Sequence, residues 1–363
     1  MKVVCWFFFI GCISSCWSFS EGDYKEFLQH EIRAFLKKNN GAGCAVYVYK
    51  ESLELEKPFE KIQVFGLSKR SQNLNLTESS LFRLGPLSKI FTILTLLKLE
   101  ADGFCDLKEP METYFPKAFI LPRHPKKKLC VKDVALELSG LPALPTIPLK
   151  TYQASEVDIR SYFKKLSLPR IPGIKYEPST LGMSCLCYMC AKVKKKSFEA
   201  VVKEAVLDPL SLTQTYLSLP LAKLNKLTYG YDGIVEISNL AYERDGSFFK
   251  PAVGFFSTIE DLSFCLKFFL KKRVSSLEPL LKEIYKSHYV FPQNPSEKLT
   301  YCFKIAPLSS HLALSTYSLT SSYPGYEHYF AFIPELKCGI VILSNSEYSV
   351  EALGEKLLEA LVR

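Results

Sequence analysis

A chain of 363 residues with 48% hydrophobic and 23% charged residues is long enough to bury a large core and too apolar to be disordered. Its net charge of +9 is dispersed over short runs, Lys126-Lys127-Lys128, Lys194-Lys195-Lys196 and Lys271-Lys272-Arg273, with no interleaved aromatics. That pattern argues against a nucleic-acid partner and reads as solvated loops and helix ends, leaving attraction to an anionic envelope surface open.

Lys2 precedes an apolar run, Val3 to Ile13, of the length of a signal-peptide core and too short to span a bilayer. Two endings fit. Ile13-Ser14-Ser15-Cys16 resembles a lipobox, which makes Cys16 a lipid-anchor candidate. Ser18-Phe19-Ser20 before Glu21 is a small-x-small cleavage site. Residues 1–20 are therefore predicted to be an export signal, and no other segment has the length and apolarity of a membrane span. The predicted location is the periplasm or cell envelope.

Three of the 12 cysteines lie in this segment, and the remaining nine, an odd number, argue against a complete disulfide framework. Cys185, Cys187 and Cys190 lie on one predicted helix. Without a second ligand pair or a nearby His they read as core residues, not metal ligands. Cys44 and Cys338 fall on predicted strands, and their pairing stays open. His30, His124, His288 and His311 show no metal or triad spacing, and no cofactor is implied.

Asp23 to Lys38 has helical periodicity, with Asp23 as N-cap and Phe27, Leu28, Ile32, Phe35 and Leu36 on one side. Strands are predicted at Cys44 to Tyr49 and Ile62 to Leu67. Pro86 opens an apolar helix that stops at Asp102-Gly103. Helical patches separated by Pro-rich loops follow, including Leu141 to Pro148. Strand character returns at Leu299 to Ala306, Leu312 to Leu319, His328 to Phe332 and Gly339 to Ser344, before a final helix over Ser349 to Leu361. Strands near both ends with helices between predict a sheet built from both termini.

The segment Phe82-Arg83-Leu84-Gly85-Pro86-Leu87-Ser88-Lys89 resembles the F-R-x-G-S-x-S/T-K signature of the penicillin-recognising serine hydrolases. In that superfamily the first Ser is the nucleophile and the Lys one turn later helps to deprotonate it. Here Pro86 stands at the nucleophile's place and Lys89 remains. Proline is tolerated in a first helical turn but supplies no hydroxyl for an acyl-enzyme. Ser88 lies roughly 200° around the helix from position 86.

Other fragments extend the resemblance over nearly the whole chain. Asp106-Leu107, Glu109-Pro110 and Tyr114-Phe115-Pro116 resemble "LDLDDPVxxYLP". Ser139-Gly140-Leu141-Pro142 resembles the end of "HTSGLP", with Glu137 where the His usually stands. Asp208 to Leu212 with Thr215 resembles "PLGMxxT". Pro251 to Gly254 with Ser257-Thr258 and Asp261-Leu262 resembles "PAGGLxSTxxDL". Pro324-Gly325-Tyr326, Pro334 and Leu343-Ser344-Asn345 resemble "GGF … P … LTN". The closest pattern is that of class C β-lactamases and D-alanyl-D-alanine carboxypeptidases.

That resemblance implies an α/β (α+β) fold of the β-lactamase/transpeptidase-like type. An antiparallel sheet from both chain ends (about 23–85 and 295–363) would be flanked by helices, with a mainly helical part (about 86–294) inserted. One domain would span 21–363. It also implies two further catalytic motifs. Aligning "PGxxxxYSN" on Pro172-Gly173 puts Pro178 at the tyrosine and Thr180 at the asparagine. Counting back from Gly325 puts Leu319-Thr320-Ser321 at H/K-T/S-G. A proline cannot transfer a proton, and the basic group and glycine of the third motif are gone. Lys89 is the one retained catalytic position.

The expectation is an exported pseudoenzyme with a binding or scaffolding role at the cell envelope, its partner a cell-wall peptide or an envelope protein, with membrane attachment only through Cys16 where that ending is used. The alternative is a divergent hydrolase with a relocated nucleophile, for which Ser88, Tyr176 and Thr180 are the residues to place against Lys89. A third reading, an interaction module, expects the cleft to be filled by side chains. Two further S-x-x-K strings, Ser161 to Lys164 and Ser247 to Lys250, read as accidental, and His328 as structural.

Overall fold

Strand β1 (Gly43–Lys50) is apolar at nearly every position because both its faces are covered. Cys44, Val46 and Val48 point into one core, while Ala45, Tyr47 and Tyr49 point into the other. In the computed structural model, which describes residues 21–51, 57–146, 153–237 and 247–362, β1 pairs with both neighbours. The predicted export signal, Cys16 and both cleavage sites lie outside the described residues, as does the end of the Leu141 to Pro148 loop. No described helix is long and apolar enough to cross a membrane.

Further strands are β2 (Phe59–Lys69), β3 (Leu74–Asn75), β4 (Phe82–Arg83), β5 (Gly230–Asp232), β6 (Val235–Ile237) and β7 (Phe256–Ser257). Then follow β8 (Tyr289–Phe291), β9 (Asn294–Leu299), β10 (Lys304–Leu308), β11 (His311–Tyr323), β12 (Tyr326–Ile333) and β13 (Cys338–Ser344). The main sheet runs β3-β2-β1-β13-β12-β11-β10-β9-β8, all antiparallel, so it is built from both ends of the chain as predicted. Two small pairs, β4-β7 and β5-β6, stand apart from it.

Helix α1 (Glu21–Lys38) and the C-terminal helix Glu351–Val362 cover one face of the sheet. Tyr24, Leu28 and Ile32, spaced by four, are buried there, and the Tyr24 hydroxyl donates to the Leu357 carbonyl at 3.1 Å. The helix starts before Asp23, which therefore sits in the first turn, where a carboxylate favours the positive helix end. The other face meets helix α2 (Lys89–Ala101) and the helical part. α2 is apolar nearly all round because it is enclosed, with the Thr180–Lys194 helix against it. Cys185, Cys187 and Cys190 are buried in that second helix, and no metal-binding cluster occurs among the described residues.

One expectation is corrected, and one open pairing is answered. The predicted strand Leu299 to Ala306 is the junction of β9 and β10. Thr300 bends the chain there: its hydroxyl accepts the Cys302 and Phe303 N–H groups at 3.2 and 2.9 Å. Cys44 and Cys338 do not pair. Cys44 faces Ser344 and Cys338 faces Lys50 across β1-β13, at opposite ends of the ladder. Six residues of strand is about 20 Å, well beyond disulfide reach, and both thiols are free and buried.

Several fragments of the resemblance meet in space as structure. Thr215 Oγ1 donates to Asp261 Oδ2 at 2.7 Å, the Gln214 N–H donates to the same oxygen at 2.8 Å, and Thr258 Oγ1 caps the Ile259–Phe269 helix at the Asp261 N–H. Asn345 Nδ2 donates to the Leu67 and Tyr229 carbonyls at 3.1 and 2.9 Å, tying β13 to β2 and the chain before β5.

Candidate functional site

The Gly85–Ser88 turn, a single 3₁₀ turn, carries Pro86 and leads directly into α2. Gly85 has φ +53, and a Cβ there would lie 2.5 Å from the Tyr323 side chain, so glycine is required at this crossing of β11. Pro86 is half-exposed in the first turn, where its missing N–H costs nothing. The chain before it is fixed from two sides. The Leu84 N–H donates to the Phe255 carbonyl at 2.8 Å, Ser321 Oγ donates to the Leu84 carbonyl at 2.8 Å, and His328 Nε2–H donates to the Arg83 carbonyl at 2.8 Å.

Lys89 is buried, and its Nζ lies 2.6 Å from Glu137 Oε2. The two side chains keep 7% and 9% of their surface exposed. This is a charge-assisted hydrogen bond in a dry setting, and removing one partner of such a pair costs about 3–5 kcal/mol. Glu137 follows the Val131–Ala135 helix in a left-handed conformation, φ +57. Its N–H donates to the Val134 carbonyl and its carbonyl accepts the Glu177 N–H at 2.9 Å. A non-glycine residue held at positive φ by bonds on both sides is positioned tightly.

Tyr176 completes the group. Its hydroxyl donates to the Glu137 carboxylate, and burial, then that carboxylate's charge, then the hydrogen bond push the phenol well above its ordinary pKa. Counting from Pro172-Gly173 assigns Pro178 to the tyrosine of the second motif; the loop geometry instead turns Pro178 out to solvent and Tyr176 inward. Ser179 caps the following helix, accepting the Gly182 N–H at 2.9 Å and donating to the Pro142 carbonyl at 2.7 Å. Thr180 is half-buried as the first residue of that helix.

In the third motif, Leu319, Ser321 and Tyr323 share one face of β11. Leu319 packs against the larger core, and Ser321 is buried on Leu84. Thr320 is exposed. An alkyl side chain and a hydroxyl bonded to backbone replace a cation and a bare backbone surface.

None of the candidate hydroxyls reaches the lysine. Among the described residues the Lys89 ammonium donates to Glu137, while Ser88 Oγ is buried without a hydrogen-bond partner. The exposed Ser161 hydroxyl bonds back to the Val157 carbonyl at 3.0 Å within its own helix, and the Ser247 hydroxyl accepts the Phe249 N–H. Cys302, buried near the pair, is pushed up to about 12 by burial, with the Lys89 charge opposing and the Glu137 charge adding. It supplies no thiolate. His328 packs edge-on against Phe82, and burial drives its pKa down to about 4, so it is neutral and structural.

A surface cavity of about 290 Å³ lies in front of Tyr176. Tyr289, Phe291, Pro292 and Gln293 of the β8-β9 hairpin form its other wall. The Phe291 ring meets Tyr176 edge-on at 5.4 Å, and the Tyr289 hydroxyl donates to the Ile174 carbonyl at 3.1 Å. A larger cavity of about 720 Å³, lined by Lys271, Ser275, Glu278, Lys282 and Tyr285, contains none of the motif positions. Lys89 lines neither of these two cavities.

Sequence reasoning singled out Lys89 and the proline at 86. It missed that Glu137 is the lysine's partner, although the departure from histidine at 137 was the available signal. The pairing is invisible without the fold because the two residues are 48 apart in sequence.

The profile of the family described as Beta-lactamase matches residues 28–363. The beta-lactamase of Lysobacter lactamgenus is 24% identical over 349 residues, covering 88% of this chain and 86% of that protein. The beta-lactamase of Escherichia coli (strain K12) is 24% identical over 314 residues, covering 78% and 80%. Among solved structures, a class C beta-lactamase superposes with a TM-score of 0.81 at 20% identity over 94% of this chain and 97% of that one. A beta-lactamase/D-alanine carboxypeptidase from Pseudomonas syringae gives 0.80 at 19% identity over 93% and 98%.

Proposed function

The chain belongs to the beta-lactamase family, and from that premise we propose that it is an exported member that has lost serine acyl transfer and acts by binding. One observation carries this reading. The position of the nucleophile holds a proline, and the retained Lys89 is engaged by Glu137 at 2.6 Å. A family site without a hydroxyl at the first position and without a free amine at the second lacks both parts of the acylation step.

The bound species is proposed to be a cell-wall peptide or an envelope protein. Support comes from the cavity before Tyr176, which stays open although the lysine behind it is sealed. Lys89 does not serve as a carboxylate anchor for that peptide, because Glu137 already occupies it. Export rests on the apolar Val3 to Ile13 run, with or without lipid attachment at Cys16.

A divergent hydrolase is the second reading, and one observation favours it: the Tyr176 hydroxyl faces a carboxylate at the rim of a cavity. Its raised pKa argues against a phenolate nucleophile at neutral pH. Intact-mass measurement after incubation with a penicillin and, separately, a fluorophosphonate tests both. No adduct on the folded protein is the expected result. A stoichiometric adduct mapping to Tyr176, Ser88 or Thr180 would overturn the first reading.

A further inference from the structure

We infer that Glu137 is a second, independent block to acyl transfer, so that restoring the hydroxyl at position 86 alone leaves the site inactive. This rests on the reading of the site as a former serine acyl-transfer centre.

A lysine takes the hydroxyl proton only as the neutral amine. Acylation of a β-lactam forms an ester bond between the hydroxyl oxygen and the lactam carbonyl carbon and breaks the ring C–N bond. The hydroxyl proton passes through the base to the ring nitrogen. At Lys89 the first transfer is obstructed. Deprotonating the ammonium would leave the Glu137 carboxylate, 2.6 Å away, buried without its cation. No second cation is positioned to replace it: among the described residues the other group bonded to the Glu137 carboxylate is the Tyr176 hydroxyl.

The carboxylate is also held by the Tyr176 hydroxyl in an enclosed setting, which moving it aside would forfeit. Its backbone is pinned by the Glu137 N–H to Val134 and by the Glu177 N–H to its carbonyl. Its φ of +57 belongs to a turn tightened by the Leu138 N–H to Asp133 bond. The left-handed turn aims residue 137 at α2, and the residue type at 137 then decides whether Lys89 is a base or half of an ion pair. Glu137 is thus a positioning residue acting through Lys89.

The experiment compares full-chain Pro86→Ser with Pro86→Ser/Glu137→Gln, using intact mass to follow labelling by a penicillin between pH 6 and 10. Glutamine keeps the shape and the hydrogen-bonding capacity and removes the charge. The double variant is expected to label at least about tenfold faster at neutral pH, set against the roughly 10²–10⁴-fold a positioned base contributes. Its rate is also expected to reach its plateau at lower pH. Equal rates and equal pH profiles would overturn the inference.

If neither variant labels, the ¹⁵N signal of Lys89 decides. A signal displaced towards the neutral-amine position in the double variant relative to Pro86→Ser upholds the inference, and identical signals overturn it. Should Glu137→Gln fail to fold, Glu137→His, the residue the family resemblance places there, takes its place in both arms. Labelling of the unmodified chain would instead count against the proposed function and leave the role of Glu137 to the same comparison.

Discussion

The Ser321 hydroxyl donates to the Leu84 carbonyl at 2.8 Å, joining β11 to the turn that presents Pro86. This bond closes the seam between the first and third motifs at a position where the family resemblance expects glycine. Ser321→Ala should lower stability by about 1 kcal/mol, the net worth of one buried hydrogen bond, because Leu84 keeps its second partner, the Leu87 N–H. Urea denaturation measures it. An unchanged midpoint would show that the seam is held by packing alone.

The Lys89–Glu137 pair predicts strong non-additivity. Lys89→Met or Glu137→Gln alone strands a buried group and should cost about 3–5 kcal/mol if the charge stays, less if the group neutralises. The double variant should recover most of that, giving a coupling of at least about 2 kcal/mol. Additive costs in the four-protein cycle would mean that the two side chains do not meet in solution.

Two buried groups give opposed pH dependences over one window. His328, lowered to about 4, is neutral in the fold, so its stability is full above about pH 6.5 and is lost as pH falls towards 4. Asp261 is raised to about 6, chiefly by burial. Its contribution is full below about pH 4 and is lost as pH rises through 6. Each term is at most about 3 kcal/mol at about 1.4 kcal/mol per unit. Stability of Asp261→Asn should therefore rise with pH between 4 and 6, and that of His328→Gln should fall. Parallel curves for the two variants would contradict the assignment.

Thiol reactivity should be confined. Of the nine described cysteines, Cys130 is half-exposed and the other eight are buried. Iodoacetamide under native conditions should label Cys130 first, with Cys185, Cys187 and Cys190 labelled only after denaturation. Peptide mapping without reductant should yield no Cys44–Cys338 link. Detection of that link would require a β1-β13 register other than the one described.

Five strands of the main sheet, β1, β2, β11, β12 and β13, were legible because period-two patterns are local, as in Tyr329, Ala331 and Ile333 against Phe330 and Phe332 on the two faces of β12, whereas the short edge strands β3 and β8 were not predicted. The break at Thr300 was not. Four consecutive buried residues, Thr300 to Phe303, read as one continuous strand, and the bend depends on a hydroxyl capturing two backbone amides. Counting residues assigns Pro178 to the second motif, and counting is blind to which side of a loop turns inward, which only the fold shows for Tyr176.

By itself the sequence determined the family frame and the proline at position 86, since the order of short fragments and the lack of a hydroxyl on proline are properties of residues and their neighbours. Only the tertiary structure decided what became of Lys89. The chain reversal that sets Glu137 2.6 Å from its ammonium is fixed by contacts among distant segments, and ion pairing depends on distance and burial in space.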